Sequence, residues 1–182
     1  MDNPKQMIVL YGKANQGKTT TLRQLIISLV GNNPEMTQAI NALFKKNQKT
    51  KDIRIIVNYR GVLVFIATGG DAWSICRSSC EFFEGKFAKK KDIYIVDANG
   101  LRQLTGEEKK TFEGKPTVAI CACRPYADGN GAIKAIHSYS VGHIMDYSEQ
   151  VWLKKDGITN DDMMIELQRR IDQFLNNNLI TT

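Results

Sequence analysis

An eight-residue segment near the start of the chain combines glycine, lysine and threonine at spacings that suit phosphate binding. It reads Gly12-Lys13-Ala14-Asn15-Gln16-Gly17-Lys18-Thr19 and lies between an apolar run, residues 7–11, and a helix-like run, residues 19–30. A strand that leads into a glycine-bordered loop can direct successive backbone N–H groups at a phosphate, and the following helix adds the positive end of its dipole. The segment therefore predicts a binding site for a phosphorylated ligand.

The residue types in this segment have separate roles in such a site. Gly12 and Gly17 permit a tight turn and a close approach of the backbone to the ligand. The amine of Lys18 would reach the β- and γ-phosphates of a nucleotide, and the hydroxyl of Thr19 would complete the ligand shell of a Mg²⁺ ion. The residues expected to contact the nucleotide are Gly12, Lys13, Ala14, Asn15, Gln16, Gly17, Lys18, Thr19 and Thr20.

The segment matches G-x-x-x-x-G-K-T, and in this it resembles the phosphate-binding loop, or Walker A motif, of the P-loop nucleoside triphosphatases. The resemblance covers about residues 7–30. It implies an α/β fold with a mostly parallel sheet and helices on both faces, and a protein that binds a nucleoside triphosphate with Mg²⁺. Lys13 lies five residues before Lys18, a spacing similar to that of the extra lysine in the deviant motif of the MinD-like ATPases.

The rest of the chain alternates apolar runs with helix-like periods, which predicts one α/β domain over residues 1–182. Short β-branched runs around a turn predict an antiparallel hairpin at 53–67. Runs such as 62–66 are apolar without alternation, as in strands buried on both faces, so helices must cover both sides of the sheet. Further strands are predicted at 93–96, 117–123 and 151–154, further helices at 34–46, 73–83, 132–139 and 159–175, and a turn or helix at 98–116.

Two aspartates compete for the role of the Mg²⁺-linked carboxylate, because Asp71 and Asp97 both follow apolar strands and ligands of open α/β sheets bind at the carboxyl ends of strands. Asp97 directly follows the apolar run 93–96, which is the bare Walker-B form. Asp71 follows Gly69 and Gly70, whose amides could approach a γ-phosphate. The order of hairpin and aspartate also resembles that of small G domains. We expect Asp71 to hold the ion, with Asp97 as the alternative.

Arginines are the candidate cations for transition-state charge. Arg124 directly follows the buried run 117–123 and is expected in this role, with Arg102 as the weaker candidate. The end of that run, residues 121–125, lacks the [N/T]-K-x-D loop that small GTPases share for binding guanine. We therefore expect ATP rather than GTP.

The expected activity is that of an ATPase, a hydrolase that cleaves the bond between the β- and γ-phosphates. A small P-loop kinase that transfers the γ-phosphate to a nucleoside, nucleotide or polynucleotide is the alternative. Such a kinase needs a base for its acceptor, and Glu35 is the only acidic residue between Leu22 and Lys51. A slow, nucleotide-dependent regulatory switch is a second alternative.

Charge and hydropathy limit the partners. The net charge of +6 favours an anionic partner and leaves nucleic acid open, although no basic stretch is interleaved with aromatic residues as in a single-strand binding groove. No run of about 18 apolar residues occurs, and the N-terminus lacks a charged segment followed by an apolar one. We expect no membrane span and a cytoplasmic protein.

The four cysteines fall in two pairs that each share one face of a predicted element. Cys76 and Cys80 are one helical turn apart, and Cys121 and Cys123 alternate along a strand. We expect buried thiols in a reducing compartment, with a four-thiolate zinc site as the alternative.

Overall fold

The protein has an α/β fold in which the described strands form one mixed sheet. The computed structural model describes residues 4–13, 15–49, 52–69, 73–86, 92–123, 147–155 and 157–179. Its strands are β1 (Lys5–Tyr11), β2 (Arg54–Tyr59), β3 (Val62–Ala67), β4 (Tyr94–Asp97), β5 (Gly100–Gln103), β6 (Val118–Cys123) and β7 (Tyr147–Lys154). Its helices are α1 (Lys18–Leu29), α2 (Pro34–Lys46), α3 (Trp73–Glu84), α4 (Gly106–Phe112) and α5 (Asn160–Leu179).

Capping residues explain where two of the predicted helices begin. The side chain of Asn33 accepts a hydrogen bond from the backbone N–H of Met36, and Pro34 occupies the first turn of α2. Thr159 accepts from the backbone N–H of Asp162 at 3.2 Å and so caps α5, which extends past its predicted end at residue 175. The helix predicted at 132–139 lies outside the described residues. No helix in the described ranges has both the length and the apolar character needed to cross a membrane.

The strand order is β5-β4-β2-β3-β6-β1-β7. β3, β6 and β7 run parallel with β1 through direct or successive pairings. The hairpin predicted at 53–67 is confirmed, and it reverses the chain, so β2 and its parallel neighbour β4 run the other way. The carboxyl ends of β1, β3, β6 and β7 therefore share one edge of the sheet, called here the loop edge, and those of β2 and β4 lie at the opposite edge.

β5 is a strand that the sequence did not predict, since residues 98–116 were expected to hold a turn or helix. A tight turn joins β4 to β5: Asp97 accepts a hydrogen bond from the backbone N–H of Asn99 at 2.8 Å, and Gly100 has φ +97°. β5 pairs antiparallel with β4. The sheet is thus mixed, with four parallel strand pairs and two antiparallel ones, β2–β3 and β4–β5. A four-residue edge strand that contains arginine and glutamine carries too little apolar alternation to be recognised from sequence.

Helices cover both faces of the sheet, as predicted. Alternate residues of β1 point to opposite sides: Ile8 and Leu10 belong to one apolar core, and Met7 and Val9 belong to the other. The first core is completed by side chains of α1, α2 and α5, and the second by side chains of α3. This arrangement buries β1 between β6 and β7 and between the two apolar cores, with the segment that follows it at the loop edge.

Candidate phosphate-binding site

The glycine-bordered segment leaves the sheet between two parallel neighbours of β1. The backbone N–H of Gly12 donates to the carbonyl oxygen of Cys123 at the end of β6, at 3.1 Å. On the other side, the backbone N–H of Lys155 donates to the carbonyl oxygen of Tyr11 at 3.2 Å. The carboxyl ends of β6 and β7 therefore fix the position at which the loop begins.

Two residues of the loop have left-handed backbone conformations, Asn15 with φ +61° and Gly17 with φ +84°. Gly17 is the N-cap residue of α1, and its carbonyl oxygen accepts from both the backbone N–H and the hydroxyl of Thr21. Left-handed residues that alternate with right-handed ones turn successive N–H groups toward one point, which makes a concave anion site. The predicted strand, loop and helix are therefore present in the expected order, while Ala14 lies outside the described residues.

The side chain of Lys18 is folded over this loop. Its Nζ donates to the carbonyl oxygen of Gly12 at 2.6 Å and to that of Lys13 at 2.8 Å, and the residue is only 8% exposed. The side chain of Lys13 itself is exposed, like that of Asn15. The positive charge of Lys18 is thus held at the loop, where a phosphate group could replace the carbonyl oxygens as its partner.

A cavity of about 750 Å³ opens beside the loop. Its volume lies within the usual range of small-molecule sites. The lining residues are Asn15, Gly17, Lys18, Thr19, Thr20, Arg23, Asn41, Phe44, Lys45, Asn47, Gln48, Ile53 and Thr68. Thr19, the predicted Mg²⁺ ligand, is among them. No cluster of three or more metal-ligating side chains occurs in the described ranges.

Thr68 places the end of β3 at this cavity. β3 is parallel to β6, so the segment that starts at Thr68 leaves the sheet at the loop edge. Thr68 is buried, and its Oγ1 accepts from the backbone N–H of Ile53 at 2.9 Å. Asp71 follows three positions later but lies outside the described residues, as does Arg124.

Asp97 is not brought to the loop. It ends β4, which runs opposite to β1, so its carboxylate lies at the other edge of the sheet. It lines a second cavity together with Leu29 and Val30, at the end of α1 remote from the loop. The structure therefore does not bring Asp97 together with Thr19, the other predicted Mg²⁺ ligand. The sequence could not show this separation because strand direction is not encoded in a four-residue apolar run.

Arg102 is also remote from the loop. It lies on β5 at the far end of the sheet and forms ion pairs with Glu108 at 2.6 Å and Asp97 at 3.4 Å. Hydrogen bonds from the backbone of Thr105 and then from Arg102 hold the pKa of Glu108 below its usual value. Arg102 therefore stabilises the β4–β5 hairpin and the start of α4.

Lys155 and Asn160 are two residues at the loop that the sequence analysis missed. The Nζ of Lys155 donates to the backbone carbonyl of Gln16 and to the side-chain oxygen of Asn160. Lys155 is 3% exposed, and burial lowers the pKa of its amine. A signal was present, because Lys155 directly follows the predicted strand at 151–154, and residues that follow parallel strands tend to line sites.

The four cysteines lie close together on the α3 face of the sheet, and all four are buried thiols without disulfides. Burial raises the pKa of Cys121 to about 12 and that of Cys80 well above its usual value. A hydrogen bond with Cys76, together with burial, also raises the pKa of Cys123. Thiols that stay protonated at neutral pH are poor metal ligands and poor nucleophiles. The expectation of buried thiols is confirmed.

The comparisons with known proteins leave the site without a template. No protein-family model matches the chain, and neither a curated protein nor a solved structure shows a significant match to it. The chemistry of the site therefore follows from its own residues. These residues provide a cation, left-handed loop residues and a helix N-terminus beside a cavity, a combination that suits a polyphosphate.

Proposed function

We propose that the protein binds ATP with Mg²⁺ at the Walker A-like loop, in a fold of the P-loop nucleoside triphosphatase type, and hydrolyses the β–γ phosphate bond. The observation that carries this proposal is the position of Lys18. Its amine is held over the loop carbonyls of Gly12 and Lys13, at the start of α1 and beside the cavity. A polyphosphate can accept hydrogen bonds both from this amine, in place of the loop carbonyls, and from the backbone N–H groups at the N-terminus of α1.

In this proposal the loop binds and orients the phosphates. Lys18 contacts the β- and γ-phosphates, and the backbone N–H groups of residues 14–20 surround them. Arg124, which follows β6 at the loop edge, stabilises the charge of the transition state. Phosphoryl transfer depends chiefly on positioning and electrostatics, so a dedicated base is not required for slow hydrolysis.

Thr19 and Asp71 are the residues that would hold Mg²⁺. A bound Mg²⁺ neutralises charge on the β- and γ-phosphates. The ion takes few ligands from a protein and completes its shell with phosphate oxygens and waters. The hydroxyl of Thr19, on the cavity wall, and the carboxylate of Asp71, three positions after Thr68 in the sequence, would meet that requirement.

A kinase remains the alternative, and one observation favours it. The cavity does not end at the loop, because it is also lined by Arg23 of α1 and by Lys45 in the last turn of α2. An ATPase needs room for water only, whereas a kinase needs room for an acceptor. This difference makes the identity of the phosphoryl acceptor the decisive measurement.

Two measurements test the proposed function. Calorimetric titration with ATP and Mg²⁺ should show binding to the wild type and to Lys115→Ala, an exposed-lysine control, and none to Lys18→Ala, whose thermal unfolding should be nearly unchanged. Labelled ATP should then release inorganic phosphate faster than it labels added nucleosides, nucleotides or polynucleotides. Unchanged ATP affinity in folded Lys18→Ala would remove the basis of the proposal, and faster labelling of an acceptor would favour the kinase.

A further inference from the structure

The cavity beside the loop has a second, basic end. Beyond the first turn of α1 it is lined by residues that do not belong to the loop, namely Arg23, Asn41, Phe44, Lys45, Asn47, Gln48 and Ile53. This end offers two cations, several side-chain amides and two apolar side chains. No carboxylate occurs among the described residues that line the cavity. The charged side chains among the described residues that line the cavity are therefore all cationic.

Arg23 differs from the other arginines of the described ranges. Each of the others forms an ion pair with a carboxylate; they are Arg54, Arg60, Arg77, Arg102, Arg169 and Arg170. Arg23 is half-buried, lines the cavity, and has no carboxylate partner in the described part of the chain. A partly buried guanidinium without a protein partner suits an anion supplied by a ligand.

Lys45 has a simpler explanation that must be separated from ligand binding. It lies in the last turn of α2 beside Lys46, and cations are favoured at a helix C-terminus by the helix dipole. Only Lys45 of this pair lines the cavity. Arg23 lies within α1, away from both of its ends, so the dipole does not explain its charge.

The basic end is distinct from the loop. Arg23 lies five residues after Lys18, which is about 7.5 Å farther along the axis of α1. The cavity is concave and has the volume of a small-molecule site rather than the open groove that a polymer needs. We propose that the Arg23–Lys45 end binds the phosphate group of a second small molecule, a phosphomonoester, while the loop holds the phosphates of the nucleotide. The inference rests on the proposed function, which assigns the nucleotide to the loop.

Titrations with the loop already saturated test this subsite. The protein is first saturated with Mg²⁺ and a non-hydrolysable ATP analogue, and then titrated with AMP, glycerol 3-phosphate, inorganic phosphate and adenosine. The phosphate-bearing probes should bind, and adenosine should not. Arg23→Gln should weaken AMP binding by about tenfold or more and change the affinity for the analogue by less than about twofold, while Arg23→Lys should retain part of the AMP affinity.

The matched controls are Lys45→Gln and Lys46→Gln, which remove neighbouring charges from the same helix end. Weaker AMP binding in Lys45→Gln alone supports the subsite, whereas equal losses in both variants indicate a long-range effect of charge and overturn it. The proposal is also overturned if no phosphate-bearing probe binds, or if Arg23→Gln weakens the analogue as much as AMP. If the analogue itself does not bind, the proposed function fails, and the AMP titration of the protein alone still tests Arg23.

Discussion

Lys155 donates a hydrogen bond from its Nζ to the backbone carbonyl oxygen of Gln16, although 139 positions separate the two residues in the chain. The same amine donates to Asn160, whose side-chain oxygen also accepts from Thr21 of α1 at 3.3 Å. The end of β7 and the start of α5 thus hold the loop from the side of the sheet. This contact makes the conformation of the loop depend on the last part of the chain.

Replacing Lys155 by methionine should weaken ATP binding without unfolding the protein. Methionine keeps a long apolar stem but removes the donor to Gln16, and a lost hydrogen bond to a charged group costs about 1.5–3 kcal/mol. Because ATP binding must then restore the conformation of the loop, the affinity for ATP should fall roughly tenfold or more. Calorimetric titration with ATP and thermal unfolding would measure the two effects separately. Because the carbonyl oxygen of Gln16 and the side-chain oxygen of Asn160 lose a donor, the melting temperature should fall by a few degrees. Unchanged affinity would show that the contact is only structural.

Gly17→Ala should abolish ATP binding, whereas Gly31→Ala should not. Both glycines are left-handed, with φ +84° and +77°, so alanine strains either by about 1–2 kcal/mol. A Cβ on Gly17 would also lie 2.5 Å from Oδ1 of Asn160 and 2.8 Å from Nζ of Lys155, while one on Gly31 meets nothing within 4 Å. Gly17→Ala should therefore lose more stability than Gly31→Ala, and only Gly17→Ala should lose ATP affinity. Equal affinities would contradict a role for the packed loop.

The two candidate aspartates should now give different results. Asp71→Asn should reduce the Mg²⁺ dependence of turnover far more than it weakens nucleotide binding without metal, because the carboxylate acts through the ion. Asp97→Asn should leave turnover unchanged, since Asp97 lies at the opposite edge of the sheet beside Arg102. Turnover measured against Mg²⁺ concentration decides between them. A loss in Asp97→Asn alone would require a different topology.

ATP should bind about tenfold or more tightly than GTP, because residues 121–125 lack the guanine-binding loop expected of a GTPase. Competition of the two nucleotides for a fluorescent analogue would measure the ratio. A preference for GTP would place the base-recognition residues elsewhere in the chain.

The stability of the protein should depend on the charge of Glu166 on α5. Hydrogen bonds from Arg169 and then Arg170 lower the pKa of Glu166 to about 2 from 4.5. Because the folded pKa is lowered, the stabilisation is complete above pH 4.5 and is lost as the pH falls toward 2. The pairs are partly exposed and screened, so Glu166→Gln should cost about 0.5–1 kcal/mol at neutral pH. Urea unfolding of both proteins at several pH values should show this difference shrinking in acid.

Most elements were predictable because their signals are local. The order of apolar run, glycines and helical period places β1, the loop and α1 within 25 consecutive residues. The helix α2 begins at its proline with a neighbouring asparagine cap, and the hairpin of β2 and β3 follows from two β-branched runs around one turn. Each of these features depends on residues that are close in sequence.

The sequence alone determined that a loop with two bordering glycines, a lysine and a threonine joins a buried strand to a helix in an α/β protein. Only the tertiary structure decided which residues lie beside that loop. Asp97 does not lie beside the loop, because the hairpin reverses the direction of β2 and β4. Lys155 does lie beside the loop, because β7 pairs with β1. The tertiary structure also brought Arg23 into one cavity with the end of α2. Strand direction and helix packing are set by contacts between distant residues, and local periodicity carries no information about them.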